Sequence, residues 1–161
     1  MEKVAIDEVE NDVHPMGIHD VRKPVSSALG TEHVAMNYFE LGPGDAFSGG
    51  LHTHHDQEEI FYVESGTAEF EVGREGETVT VGAGELIRFA PGEYQTGGVP
   101  EDADEPVVGW AMGAPGARHD RDEIDSVVYC RTCEAERVHG TEPTAEGFRL
   151  TCEECGTTFE I

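Results

Sequence analysis

From His33 onward, apolar and polar residues alternate in short runs punctuated by Gly and Pro, which predicts strands and an all-β sandwich or barrel. The runs are about Val34–Leu41, Gly50–His55, Glu59–Glu64, Thr67–Val72, Thr78–Val81, Glu85–Phe89 and Pro106–Met112. In the fourth, Ala68, Phe70 and Val72 alternate with Thr67, Glu69 and Glu71, so one face is buried and the other wet. Glu64-Ser65-Gly66 reads as a tight hairpin turn, and the polar Gly73–Glu77 and Gln95–Glu105 as loops, the latter on the surface near a barrel mouth. Residues 1–30 mix acidic and apolar positions without a sustained period and read as an extended arm with one short strand. A barrel over 31–116 follows, then a charged linker over 117–126 and a small module over 127–161. Trp110 belongs to the core or to a subunit contact. The lone His14 and His19 of the arm read as solvated or hydrogen-bonded residues.

Charge changes this picture more than length does. The chain has 161 residues with 34 Asp and Glu against 10 Lys and Arg, a net charge of −24, and its only lysines are Lys3 and Lys23. At molar salt the Debye length falls to about 3 Å and screens such self-repulsion, so this is the surface of a protein from a salt-accumulating halophile; an ordinary acidic protein would keep more lysine. The absence of a basic stripe speaks against nucleic acid as a partner. No apolar run approaches the ~20 residues that span a bilayer, and the first residues lack a signal-peptide plan, so the expectation is a cytoplasmic protein with no membrane partner.

Candidate chemistry concentrates in Leu51–Gly66. In a strand, His52 and His54 project from one side with Thr53 turned away, and a hairpin-like return through His55–Glu58 would bring the Glu59 carboxylate to them. Phe61 and Val63 share the face of Glu59, while His55 and Glu58 face away. Two imidazoles and one carboxylate suit a divalent ion with open coordination positions.

This stretch resembles the first motif of the cupin superfamily: His-x-His, a short gap, Glu, six residues and Gly, carried here by His52, His54, Glu59 and Gly66. The preceding turn Leu41-Gly42-Pro43-Gly44-Asp45 is similar too, and Gly82–Gly92 resembles the start of the second motif. The position that usually supplies a further metal-binding His is Gln95, which could lend a weak amide-oxygen ligand or hydrogen-bond to something bound at the metal, and the later Asn is absent. The resemblance covers roughly Asn37 to Ala114. It implies a cupin jelly-roll barrel holding Fe, Mn, Ni, Co or Zn, a small-molecule ligand and a homodimer. It leaves open whether the barrel is a ligand-binding module or a metal-dependent enzyme of dioxygenase-like or isomerase-like type. Phe61, Val63, Phe70, Ile87 and Phe89 are candidate lining residues, and Glu93 and Tyr94 candidate acid–base groups.

All four cysteines lie in the last module, as Cys130-x-x-Cys133, eighteen residues, and Cys152-x-x-Cys155. That spacing reads as a closed structural Zn²⁺ site, against the alternatives of disulfides or redox chemistry, and the module resembles a zinc ribbon. Metal would supply much of its folding free energy, so chelation is expected to unfold the tail and leave the barrel. Its acidic surface points to a protein partner through the ribbon rather than DNA.

Overall fold

The structure, a computed structural model, describes residues 1–14, 17–118, 123–144 and 147–161. The described residues form two antiparallel sheets with one short α-helix, α1 (Val25–Leu29), and a 3₁₀ turn at Ile6–Glu8. The barrel strands are β1 (Val21–Pro24), β2 (Ala35–Leu41), β3 (His52–His54), β4 (Glu58–Ser65), β5 (Thr67–Val72), β6 (Glu77–Gly82), β7 (Leu86–Phe89), β8 (Gln95–Gly98) and β9 (Val107–Ala114). The C-terminal strands are β10 (Ile124–Cys130), β11 (Ala135–Pro143), β12 (Phe148–Cys152) and β13 (Thr158–Glu160). One sheet runs β1, β2, β9, β4, β7; the other runs β13, β12, β11, β10, β3, β8, β5, β6. The fold is an all-β jelly roll: the strand pattern implied the all-β class, and the cupin resemblance implied the jelly roll.

Strict alternation builds the core. Phe39 and Leu41 of β2, Phe61 and Val63 of β4, Phe70 of β5 and Val107 of β9 are each at most 2% exposed, while their neighbours along the strand face out. The rings of Phe39, Phe47, Phe61 and Phe70 follow one another at centroid distances of 5.1, 5.1 and 4.9 Å, in edge and tilted contacts. Truncating one of them, as in Phe61→Ala, should cost ~3–5 kcal/mol.

Three expectations need correction, the first two because alternation fixes a strand's faces but not its partner. First, β3 and β4 are not a hairpin: they lie in opposite sheets, and residues 55–57 carry the chain across the barrel. Second, Glu64-Ser65-Gly66 is not a hairpin turn either, since β4 pairs with β7 and β9 and β5 with β6 and β8. The chain changes sheets at Gly66, where φ is 80° and a Cβ would stand 2.3 Å from the Pro106 carbonyl oxygen. Third, Gln95–Gly98 is a strand rather than a surface loop. Its glycines read as loop residues, yet Gly97 is there because Phe70 lies where its Cβ would be, at 2.3 Å.

The arm packs on the barrel. Beyond the strand β1, which pairs with β2, it contains α1, which ends at Gly30 in the left-handed region. Asn11 grips the backbone of Asp20 and Arg22, and the Lys23 ammonium donates to the Ile6 carbonyl. Trp110 lies on the outer face of the five-stranded sheet, against Tyr38.

The stretch read as a linker ends in strand. Residues 119–122 lie outside the described residues, but β10 opens at Ile124 and pairs with β3 in the register Ile124↔His54, Asp125↔Thr53, Ser126↔His52. Backbone bonds from His55 to Glu123 and from Val127 to Leu51 extend that ladder. The C-terminal strands therefore continue the barrel's own sheet. The charged, linker-like composition around Ile124 conceals this because the partner strand is about seventy residues away in the chain.

Candidate metal and ligand site

Each donor of the His-x-His stretch is fixed by its own element. The short strand β3 is held between β10 and β8, and His52 and His54 project from one face toward Glu59, which enters from β4 in the facing sheet. One ligand atom from each of the three lies within 4.8 Å of the others. His54 Nε2 and a Glu59 carboxylate oxygen are 3.8 Å apart, and both side chains are at least nine-tenths buried. An ion bonded at ~2.1 Å would draw these donors inward by about an ångström.

Gln95 completes the cluster. It faces His52 in register across β3 and β8, is 1% exposed, and donates through Nε2 to Glu59 at 2.8 Å, with His52 Nε2 at 3.3 Å. Its Oε1 is buried without a hydrogen-bond partner among the described residues. A half-turn of the amide would present that oxygen to the same centre, as a hard, neutral fourth ligand. His52 Nδ1 donates to the Gly50 carbonyl at 2.9 Å, which fixes the tautomer and turns the Nε2 lone pair to the site, where it accepts from Gln95 and a metal could take its place. The donor set and the burial of a carboxylate fit a divalent cation.

The neighbours separate cleanly. Glu58 faces out and pairs with Arg88 at 3.1 Å, and His55 turns away from the site, half exposed, to pair with Asp125 at 2.7 Å. Glu93 bonds the Ala90 amide and is exposed; Tyr94 lies near Arg74 with its phenol pushed up by burial, and neither lines the cavity beside the triad. Of the apolar candidates only Phe61 lines that cavity; Val63, Phe70 and Phe89 belong to the core and Ile87 packs against it.

Several residues carry no functional signal in the sequence. Gln57 is buried and its amide donates to the Pro115 and Arg118 carbonyls, tying the crossover to the end of the barrel. His19, Arg22 and Asn37 line the cavity. His19 reads as an ordinary arm histidine, yet it is 2% exposed, with its ring edge-on to Phe39 at 5.3 Å and Nδ1 3.0 Å from the Ala46 carbonyl. Burial holds its pKa below the ordinary histidine value, and burial with the charges of His19 and Arg22 does the same for His14. A neutral ring donates Nδ1–H to Ala46 and keeps Nε2 as an acceptor. The sequence signal that could have found His19 is slight: it lies two residues before the first strand.

The four cysteines also converge, all sulfurs lying within 4.8 Å of one another. Cys130 and Cys155 are 3.6 Å apart, Cys133 and Cys152 4.0 Å. A Zn–S bond of ~2.3 Å gives a tetrahedral edge of ~3.8 Å, so both separations suit a shared ion. The knuckles turn at Glu134 (φ 53°) and Gly156 (φ 71°). The Thr157 hydroxyl and amide favour the Cys155 thiolate, lowering its pKa to about 6.

Residues 37–105 match the cupin domain family. No curated protein matches the chain. Among solved structures it is similar to a sugar phosphate isomerase of the cupin superfamily from Silicibacter pomeroyi, with a TM-score of 0.63 at 20% identity over 96% of this chain and 95% of that one. A protein provisionally assigned as a sugar phosphate isomerase, from Acidithiobacillus ferrooxidans, has a TM-score of 0.67 at 19% identity over 96% and 90%. The polyketide cyclase RemF from Streptomyces resistomycificus has a TM-score of 0.63 at 19% identity over 81% and 88%. At these identities the likeness is one of fold, and together with the matched domain it supports the cupin superfamily.

Proposed function

With a cupin domain over residues 37–105 as its premise, we propose that this chain binds a small molecule at a divalent metal held in the barrel, with a second, structural Zn²⁺ in its C-terminal zinc ribbon. The observation that carries this is the convergence of His52, His54 and Glu59 from two facing sheets, with Gln95 beside them, at the edge of a cavity of ≈ 270 Å³. Two nitrogens and one carboxylate leave coordination positions for an oxygen of the ligand, and the bound ion would act there as a Lewis acid. The chain's own part is to orient: Gly50 fixes the His52 tautomer and Gln95 steadies the carboxylate. Four cysteines form a closed site with no such opening, and so brace the fold.

A second reading, a metal-dependent enzyme of isomerase-like or dioxygenase-like type, is favoured by His19, whose buried Nε2 has no partner among the described residues and which lines the same cavity. The protein works in a salt-rich cytoplasm, and among the described residues no helix is long and apolar enough to cross a membrane. A homodimer through the outer face of the five-stranded sheet is supported by the row Tyr38, Trp110, Tyr62 and exposed Leu86, which lie side by side in register.

Cobalt(II) reconstitution of chelated protein tests the two metal sites together. The expected result is two stepwise spectra, one with intense thiolate charge-transfer bands from the cysteines and one with weak bands of an N/O site. His52→Ala should remove only the second. A single thiolate spectrum with no further cobalt bound would overturn the barrel site.

A further inference from the structure

The cavity beside the triad has walls of two kinds. Its polar end carries His52, His54 and Glu59, with Arg22, Asn37 and His19 nearby. Its other wall comes from the C-terminal strands, through Val127, Phe148, Leu150 and Ile161, with the Ser126 and Thr141 hydroxyls bonded to each other at 2.9 Å, and the barrel adds Phe39 and Phe47. The β3–β10 ladder joins those two walls, since the strand bearing both histidines is the strand to which the C-terminal sheet is bonded.

We propose that the C-terminal module is the apolar wall of the barrel's ligand site, so that the site takes a compact molecule with an aromatic or branched aliphatic body and a single acidic or hydroxylic head, in preference to a sugar phosphate. This names the ligand class of the metal site and rests on that reading for the head group alone.

Three observations carry it. Volume comes first: ≈ 270 Å³ exceeds the ~150 Å³ of a dry cavity that admits benzene and lies near the lower limit of ~300 Å³ for ligand pockets, which suits one fused ring pair. Charge is the second. Arg22 is the one guanidinium on the lining among the described residues, no lysine lines it, and Arg22 already has Asp12 at 3.4 Å. A phosphate dianion asks for several cations or amide donors, whereas one carboxylate or enolate can share a metal and a single Arg. Hydrogen bonding is the third. Sugar hydroxyls set against Phe148, Leu150 and Val127 would lose water without replacement, while one hydroxyl at the polar end meets the His19 Nε2, a buried acceptor with no partner among the described residues.

The test is binding of 3-hydroxy-2-naphthoate to the full chain in molar KCl, read by the probe's own fluorescence and by equilibrium dialysis. Glucose 6-phosphate is the competitor, and metal content is measured on the same samples. Saturable naphthoate binding, not displaced by glucose 6-phosphate, is expected. Phe148→Ser should weaken it roughly tenfold or more, and Val127→Ser should do the same if the first variant folds poorly, while Leu86→Ser on the outer sheet face leaves it unchanged. His19→Leu should weaken the hydroxynaphthoate more than 2-naphthoate, which lacks the hydroxyl. Preferential binding of glucose 6-phosphate, or naphthoate affinity indifferent to both wall variants, overturns the proposal. A full barrel-metal load without naphthoate binding sinks it and leaves the metal reading standing; naphthoate binding without barrel metal does the reverse.

Discussion

Glu59 and Glu58 are adjacent and chemically alike, yet strand geometry gives them opposite fates. Glu59 is 6% exposed among the histidines, whereas Glu58 pairs with Arg88 at the surface. Glu59→Gln should lower barrel-metal retention at least about tenfold, and Glu58→Gln should leave it within about twofold; metal-buffer titration of both variants reads the difference. The faces of His52, His54 and Glu59 are legible in the sequence because side-chain direction has a period of two. What is not legible is that Glu59 arrives from the facing sheet, since a crossover of three residues looks like a hairpin when only alternation is seen. Gly66 shows the same limit from the other side: it reads as a turn glycine, but the cause is contact with Pro106 in a distant part of the chain. Gly66→Ala should destabilise the fold by roughly 2 kcal/mol or more, measured by denaturant unfolding in high salt.

At the scale of elements, the short β3 links the two proposed metal sites. It pairs with β8 through a single residue pair, His52↔Gln95, and with β10 through three. Composition alone leads one to expect a tail that unfolds on chelation and leaves the barrel intact. The shared ladder predicts otherwise: removing the cysteine-bound metal should raise hydrogen exchange not only in β11 and β12 but also in β3, while β2, β4 and β9 stay protected. Unchanged protection in β3 after zinc loss would show that the ladder with β8 suffices. The longer barrel strands are legible because their apolar residues alternate over five or more positions. Strand β8 is not, because glycine at 97 and 98 removes the side chains on which a pattern is written, and β10 is not, because its partner is remote in sequence.

For the whole molecule, charge and burial set the response to solvent. With a net charge of −24, the melting temperature should rise steeply from dilute buffer to molar KCl, and a flat profile would contradict the halophilic reading. Acidification adds a separate limb. His14 and His19 have pKa values lowered mainly by burial, so below about pH 6.5 the unfolded chain binds protons that the folded one resists. More protons in the unfolded state mean that stability falls as pH drops through that window, down to the lowered folded values. His19→Asn should flatten this limb relative to the parent chain at fixed salt. Charge and the cysteine spacing are both legible in the amino-acid sequence; the cavity between barrel and module is not, because it exists only once β10 has joined the barrel sheet. The most direct measurement of the two-metal reading is an element-resolved count on protein purified in molar KCl without added metal. About one zinc plus about one equivalent of iron, manganese, nickel, cobalt or further zinc per chain is expected, the second lost on changing His52 and His54 to Ala and the first kept. One zinc per chain, unchanged by those substitutions, would leave the barrel without a metal and contradict the proposed function.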